Sequence, residues 1–318
     1  MTRPSGKIYT LSLFPAIDTT VYLDQIEPVR ELPARQEHSE AGGKGANTAA
    51  ALTALGVDCA CICLMGEENA GLFLRLLDAA GVRCIPIPLP GRIRENLSLE
   101  TPQGQYRIMR QGFRADHRAL GRLEMVLREH LRPGDTVLVG GKLPEGITAD
   151  DLAALCELIH SLGVEVTLDT AAVKPEQVER IRPLVMKPNR QELGEITGLP
   201  VERLEDCIEA ARLLFRHGAR RVLVSLDRDG AFLLDQEGLL MARAPEVEVR
   251  STVGAGDAML AWFTAALLAG LPREEALCRA VAAGSAACLH YGTHAPSREE
   301  AESLLLRVRL EPAGNLPD

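Results

Sequence analysis

Hydrophobic and polar positions along the chain follow two rhythms. Short apolar runs read as buried strands at 8–14, 59–65, 136–139, 165–168 and 184–187, and a strand pair at 221–225 and 231–234. Between them, apolar positions three and four apart predict helices at 46–55, 70–80, 117–130, 149–162, 175–181, 189–197 and 204–216. Two long helices follow at 256–270 and 273–290. From residue 117 onward strand and helix alternate strictly, which predicts a mostly parallel sheet covered by helices on both faces, an α/β fold of three layers. Two stretches break the rhythm. Residues around 8–40 and 83–112 are strand-rich, with further strand-like pieces at 20–23, 83–87, 95–100 and 106–110. They are expected to build a small antiparallel sheet that closes as a lid over a site at the carboxyl ends of the parallel strands. No internal repeat or long linker divides the chain, so a single domain over 1–318 is expected.

Composition narrows the function classes. The chain has 318 residues, 46% of them hydrophobic, enough to bury a large core. A net charge of −9 and only 3% aromatics argue against nucleic acid and against a charged membrane surface, which need a basic face or stacking platforms. The longest apolar run, 258–271, is too short to span a bilayer. Residues 1–7 are polar and the apolar stretch after them is broken by Pro15 and Asp18, so no secretory leader is read there and a cytoplasmic protein is expected. Of eight cysteines, Cys59, Cys61 and Cys63 alternate on one strand and face one side; no C-x-x-C pair occurs, and reduced core thiols are expected.

Three clusters carry chemistry. Ser251-Thr252-Val253-Gly254-Ala255-Gly256-Asp257-Ala258 is a glycine turn opening a helix. Such a turn presents unpaired N–H groups and the positive end of the helix dipole, an anion site with the Asp257 carboxylate beside it. A carboxylate there can accept the proton of a hydroxyl that attacks a phosphoryl group, or it is simply a helix-start aspartate. Ala41-Gly42-Gly43-Lys44-Gly45-Ala46-Asn47 is a second glycine turn into a helix, holding one of five lysines; its spacing is not that of a Walker A loop. Lys44 and Asn47 suit a polyhydroxylated or phosphorylated ligand, and a plain surface turn fits as well. Lys187-Pro188-Asn189-Arg190-Gln191-Glu192 follows a strand, with Asn189 and Glu192 on one helix face. That pair suits Mg²⁺ held through water, or a capping box.

Taken together and in this order, the clusters resemble the pfkB-type, ribokinase-like carbohydrate kinases, through Gly42–Asn47, the N-x-x-E element at Asn189–Glu192 and G-A-G-D at 254–257. The start at 10–18 looks like the hexose-phosphate branch, the 1-phosphofructokinases and tagatose-6-phosphate kinases. Segments 91–96, 137–146, 168–170 and 225–230 are similar to that branch too. The resemblance implies a ribokinase-like fold and ATP- and Mg²⁺-dependent phosphorylation of a ketohexose phosphate, first of all fructose 1-phosphate to fructose 1,6-bisphosphate. It implies that Asp257 is the base and that the Gly254, Ala255 and Gly256 amides form the anion hole. Asp18, Gly43, Lys44, Asn47, Arg94, Asn96 and Lys142 would bind the sugar phosphate. Lys187, Asn189, Ser225, Gly230, Thr252, Gly292 and Thr293 would sit on the ATP side, with Asn189 and Glu192 toward the metal. A homodimer joined by the lid strands is the implied assembly.

Departures from the branch fall mostly on the sugar side. Phe14 stands where Asn is usual, Lys142 where Ser is usual, Ala171-Ala172 replaces Ser-Gly, Asp227 replaces a glycine, and 107–112 lacks an expected Asn. Tagatose 6-phosphate, an unphosphorylated sugar or a nucleoside therefore stay open as acceptors, and a sugar-sensing protein on the same fold as the non-enzymatic reading. A dinucleotide-binding oxidoreductase does not fit, because no strand runs into G-x-G-x-x-G with an acidic residue about twenty positions later.

Overall fold

The structure is a computed structural model describing residues 6–27 and 31–311; residues 1–5 of the polar start lie outside the described residues. The large sheet starts in sequence with β1 (Ile8–Ser12), every residue of which is buried. This strand pairs in parallel with β4 (Cys59–Gly66) on one side and β8 (Thr136–Gly140) on the other. Outward from β4 lies β5 (Arg83–Leu89); outward from β8 lie β9 (Glu165–Asp169), β10 (Val185–Met186) and β11 (Val222–Ser225), all parallel. An antiparallel extension of β12 (Ala231–Asp235), β13 (Gly238–Arg243) and β14 (Arg309–Glu311) completes the ten-stranded sheet.

The sheet is apolar on both sides because helices cover both. Side chains alternate across it, as strand geometry requires. Tyr9, Leu11, Ile62 and Leu64 enter the core shared with α3 (His117–His130), α4 (Ala149–Ser161), α5 (Pro175–Ile181), α6 (Arg190–Thr197) and α7 (Leu204–Arg216). Ile8, Cys59, Cys61 and Cys63 enter the opposite core, shared with α1 (Lys44–Ala54), α2 (Ala70–Ala79), α8 (Ala255–Leu268), α9 (Arg273–Ala287) and α10 (Arg298–Leu305). The eight cysteines are free thiols. Among the described residues no helix is long and apolar enough to cross a membrane.

A separate sheet in the order β3-β2-β6-β7 is built from β2 (Ala16–Tyr22), β3 (Gln36–Gly42), β6 (Arg94–Thr101) and β7 (Gly104–Ile108). It departs from expectation in two ways. Residues 8–12 and 83–89, counted above with the lid, belong to the large sheet. The small sheet is also not wholly antiparallel, because β2 and β6 run parallel. The reason is connectivity: each continues, past a break at Ser12–Ala16 or Leu89–Arg94, from a strand of the parallel sheet and keeps its direction. The strand-like piece at 20–23 is the end of a longer strand that starts at Ala16, and Phe14 lies in the break rather than in β1.

Candidate active site

The parallel strands place their carboxyl ends together, and the three sequence clusters meet there. Lys44 opens α1 directly after Gly43, whose φ of 95° lets the chain turn sharply. Its Nζ donates to Asp169 Oδ1 at 2.6 Å and to Glu192 Oε1 at 2.5 Å. Asp169 ends β9 and is buried; its second oxygen lies 3.2 Å from the Lys187 ammonium, which follows β10. Burial alone would raise the Asp169 carboxyl, yet Lys187 and Lys44 together hold it below the ordinary carboxylate range. Burial likewise opposes the Lys44 charge, but Asp169, Glu192 and Asp257 outweigh it and keep the ammonium protonated.

Asp257 lies in the first turn of α8, behind Gly254, whose φ of 83° is left-handed. The first N–H groups of α8 have no carbonyl within the helix to bond; Ala255 N makes only a long contact, 3.4 Å, to Thr252 O. The Asp257 carboxylate is buried and accepts from Asn47 Nδ2 at 2.8 Å. Burial, and next the negative charge of Asp169, push its carboxyl up to about 7, against the opposing pull of Lys44 and the Asn47 bond. Among the described residues, the buried Asn47 Oδ1 has no hydrogen-bond partner, so an acceptor is left open on the residue that bonds Asp257.

Asn189 is the N-cap of α6 and not its first helical residue. Its Oδ1 accepts from Glu192 N at 2.8 Å, and Glu192 Oε2 accepts from Asn189 N at 3.0 Å. The capping box and the approach to Lys44 therefore coexist on one glutamate. A cavity of about 1020 Å³ brings together Lys44, Lys187, Asn189, Glu192, Ser225, Gly230, Thr252, Gly254, Ala255, Gly256 and Asp257. Its lining also includes the apolar Met259 and Val281 with Ser285 and Cys288, residues on which sequence reasoning had no purchase.

The other expected residues fall elsewhere. Asp18 and Asn96 lie opposite one another on β2 and β6, with Asn96 Nδ2 donating to Asp18 Oδ1 at 2.7 Å. Burial raises the Asp18 carboxyl against that bond. The Arg94 guanidinium is buried, donates to Pro15 O and Phe14 O at 3.3 Å each, and lies 4.7 Å from the Phe14 ring centre. Phe14, the departure from the usual Asn, thus packs against the arginine. Gly292 and Thr293 are not in the cavity wall: Thr293 lies behind Gly254, where a Cβ would meet it at 3.6 Å. Lys142 is exposed on the loop after β8, with no ion pair among the described residues. Asp169 was read only as a strand end, though a buried acid at the carboxyl end of a parallel strand is itself a signal.

Comparison with known proteins identifies the family. The pattern of the pfkB family carbohydrate kinases matches residues 12–300. The chain is 35% identical to a 1-phosphofructokinase of Rhodobacter capsulatus over 96% of its own length and 98% of that protein's. It is 30% identical to the ATP-dependent 6-phosphofructokinase isozyme 2 of Escherichia coli, over 94% of its length and 97% of that protein's. A crystal structure of the Escherichia coli phosphofructokinase-2 with substrates and products superposes with a TM-score of 0.86 at 29% identity, covering 94% of this chain and 98% of that one. The chain belongs to the pfkB family of carbohydrate kinases, a sugar kinase that transfers a phosphoryl group to a hydroxyl.

Proposed function

We propose that this protein phosphorylates a hydroxyl of fructose 1-phosphate with ATP, giving fructose 1,6-bisphosphate. The observation that carries the reading is the Asp257 carboxylate, bonded to Asn47 in the first turn of α8 and sharing one cavity with Lys44. The 1-phosphofructokinase relatives support the choice of acceptor. In the reaction, the acceptor oxygen attacks the γ-phosphorus of ATP, its proton passes to Asp257 Oδ, and the bond to the ADP oxygen breaks. The α8 amides receive the charge on the moving phosphoryl oxygens, and Lys44 and Lys187 offset the charge of the nucleotide phosphates. Asn47 Oδ1, without a partner among the described residues, is an acceptor suited to a sugar hydroxyl. Asp18 and Asn96 offer the sugar a carboxylate and an amide on the small sheet, and the exposed Lys142 is a cation for the phosphate the substrate already carries.

A hard cation fits this wall. Its donors are carboxylate and amide oxygens, and both Glu192 oxygens already have protein partners, so Mg²⁺ would be held by Asn189 and Glu192 through water. Bound there, it would neutralise phosphate charge. Ser225, Gly230 and Thr252, all in the cavity lining, frame the nucleotide side. Fructose 6-phosphate is the second reading, favoured by the fold's likeness to the Escherichia coli phosphofructokinase-2 in complex with fructose-6-phosphate, at a TM-score of 0.85.

We infer, too, a homodimer in the cytoplasm joined through the small sheets. β7 is an edge strand whose five residues are all exposed, and Tyr106, Ile108 and Met109 are about half exposed on and beside it. An unpaired apolar edge is a pairing surface. The catalytic claim is tested by Asp257→Asn. Turnover should fall by on the order of 10²–10⁴-fold, the usual contribution of a positioned base, while calorimetry finds ATP binding unchanged. Retained turnover removes Asp257 from the base role.

A further inference from the structure

The segment after α9 connects the small sheet to the glycine turn of α8. Glu40 of β3 sits directly opposite Asp18 on the β2–β3 ladder. Its Oε2 accepts from Thr293 N at 2.7 Å and from Thr293 Oγ1 at 3.0 Å, while His38 lies 3.5 Å from Oε1. A second contact comes from β2, where the Tyr22 ring meets Tyr291 edge-on, centres 6.0 Å apart. On its other side the segment holds the glycine turn: Ser251 Oγ donates to Gly292 O at 3.3 Å and accepts from Val253 N at 3.2 Å. Thr293 backs directly onto Gly254. A Cβ at Gly292 would overlap the Glu40 carboxylate, so the approach requires glycine there.

We infer that Glu40 is a positioning residue that couples the sugar-binding sheet to the anion hole through Thr293. This rests on the proposed roles of Asp18 and Gly254. One carboxylate on the small sheet fixes the segment that backs the α8 turn, and the neighbouring carboxylate on the same sheet faces the sugar. An acceptor held by the sheet is therefore held in register with the α8 amides. Without the latch, sugar and anion hole are positioned independently, and the amides lose their geometry relative to the reacting phosphoryl group, to which rates are steeply sensitive.

The test compares Glu40→Ala, Glu40→Gln and Thr293→Val with wild type in steady-state kinetics on fructose 1-phosphate and ATP. The expected result is a kcat lower by at least about tenfold in Glu40→Ala with KM for the sugar phosphate within about threefold. Glu40→Gln, which keeps an acceptor oxygen for the Thr293 amide, should recover most of kcat. Glu40→Ala should also abolish any tightening of ATP-analogue binding by the sugar phosphate, a synergy that general loss of stability would leave in the folded fraction. If Glu40→Ala does not fold, Thr293→Val carries the test, since it removes the hydroxyl bond alone and should lower kcat with KM little changed. A kcat within about twofold of wild type in the folded variants, or ligand synergy intact, overturns the coupling. Absence of sugar-phosphate turnover in the wild type would instead contradict the proposed function, so the two failures are distinct.

Discussion

Asp257 joins a buried position to a neighbouring negative charge, and that combination sets when it can work. A base must be deprotonated, and burial followed by Asp169 push this carboxyl up to about 7. In the free enzyme kcat/KM should therefore rise with pH through about 7 and level off above it. Replacing Asp169 with Asn removes the like charge, lowers the Asp257 pKa and moves the acid limb to lower pH. A limb that stays in place would remove Asp169 from the electrostatics of the base. Single residues were legible in the sequence where a glycine turn announced them: Asp257, Lys44 and Asn47 stand in motifs whose backbone form is fixed by Gly254 and Gly43. Asp169 was visible only within the 168–170 segment at a strand end, with no role attached to it. Glu40 carries no local signal, because its partner is 253 residues away.

Among the elements, α8 depends most on its entry. Gly254 sits at φ 83°, where a side chain costs about 1–2 kcal/mol. Gly254→Ala should lower Tm by a few degrees and kcat by on the order of 10²–10³-fold, as when anion-hole donors are displaced. Gly238, at φ 102° where β13 begins, with nothing within 4 Å of an added Cβ, is the control. Gly238→Ala should show a similar Tm loss with kcat unchanged. Equal kcat losses in both variants would mean that the Gly254 turn matters for stability alone. Strands and helices of the core were legible because burial on both faces leaves unbroken apolar runs, as in β4 and β8. β3 was not, since Gln36–Gly42 is polar and gains its form only from pairing with β2. The α10 helix was passed over although Ser297 and Glu300 form a capping box, a pattern visible in the sequence.

For the whole molecule, alternation of strand and helix indicated the three-layer core, while the small sheet's composition was only half legible. Strand-rich stretches marked where the lid lies, but not that β1 and β5 belong to the large sheet, because periodicity carries no information on partners. The exposed β7 edge leads to a test of assembly. Sedimentation should give twice the chain mass of 34.4 kDa, and Ile108→Glu should shift the protein to monomer; a wild-type monomer would contradict the dimer. The central claim concerns the acceptor, and the most direct test is ATP consumption by the wild-type enzyme with Mg²⁺ over fructose 1-phosphate, fructose 6-phosphate, tagatose 6-phosphate, ribose and fructose. The account predicts the highest kcat/KM for fructose 1-phosphate, with fructose 1,6-bisphosphate as product. Turnover of ribose or fructose alone, with none of the sugar phosphates consumed, would contradict it.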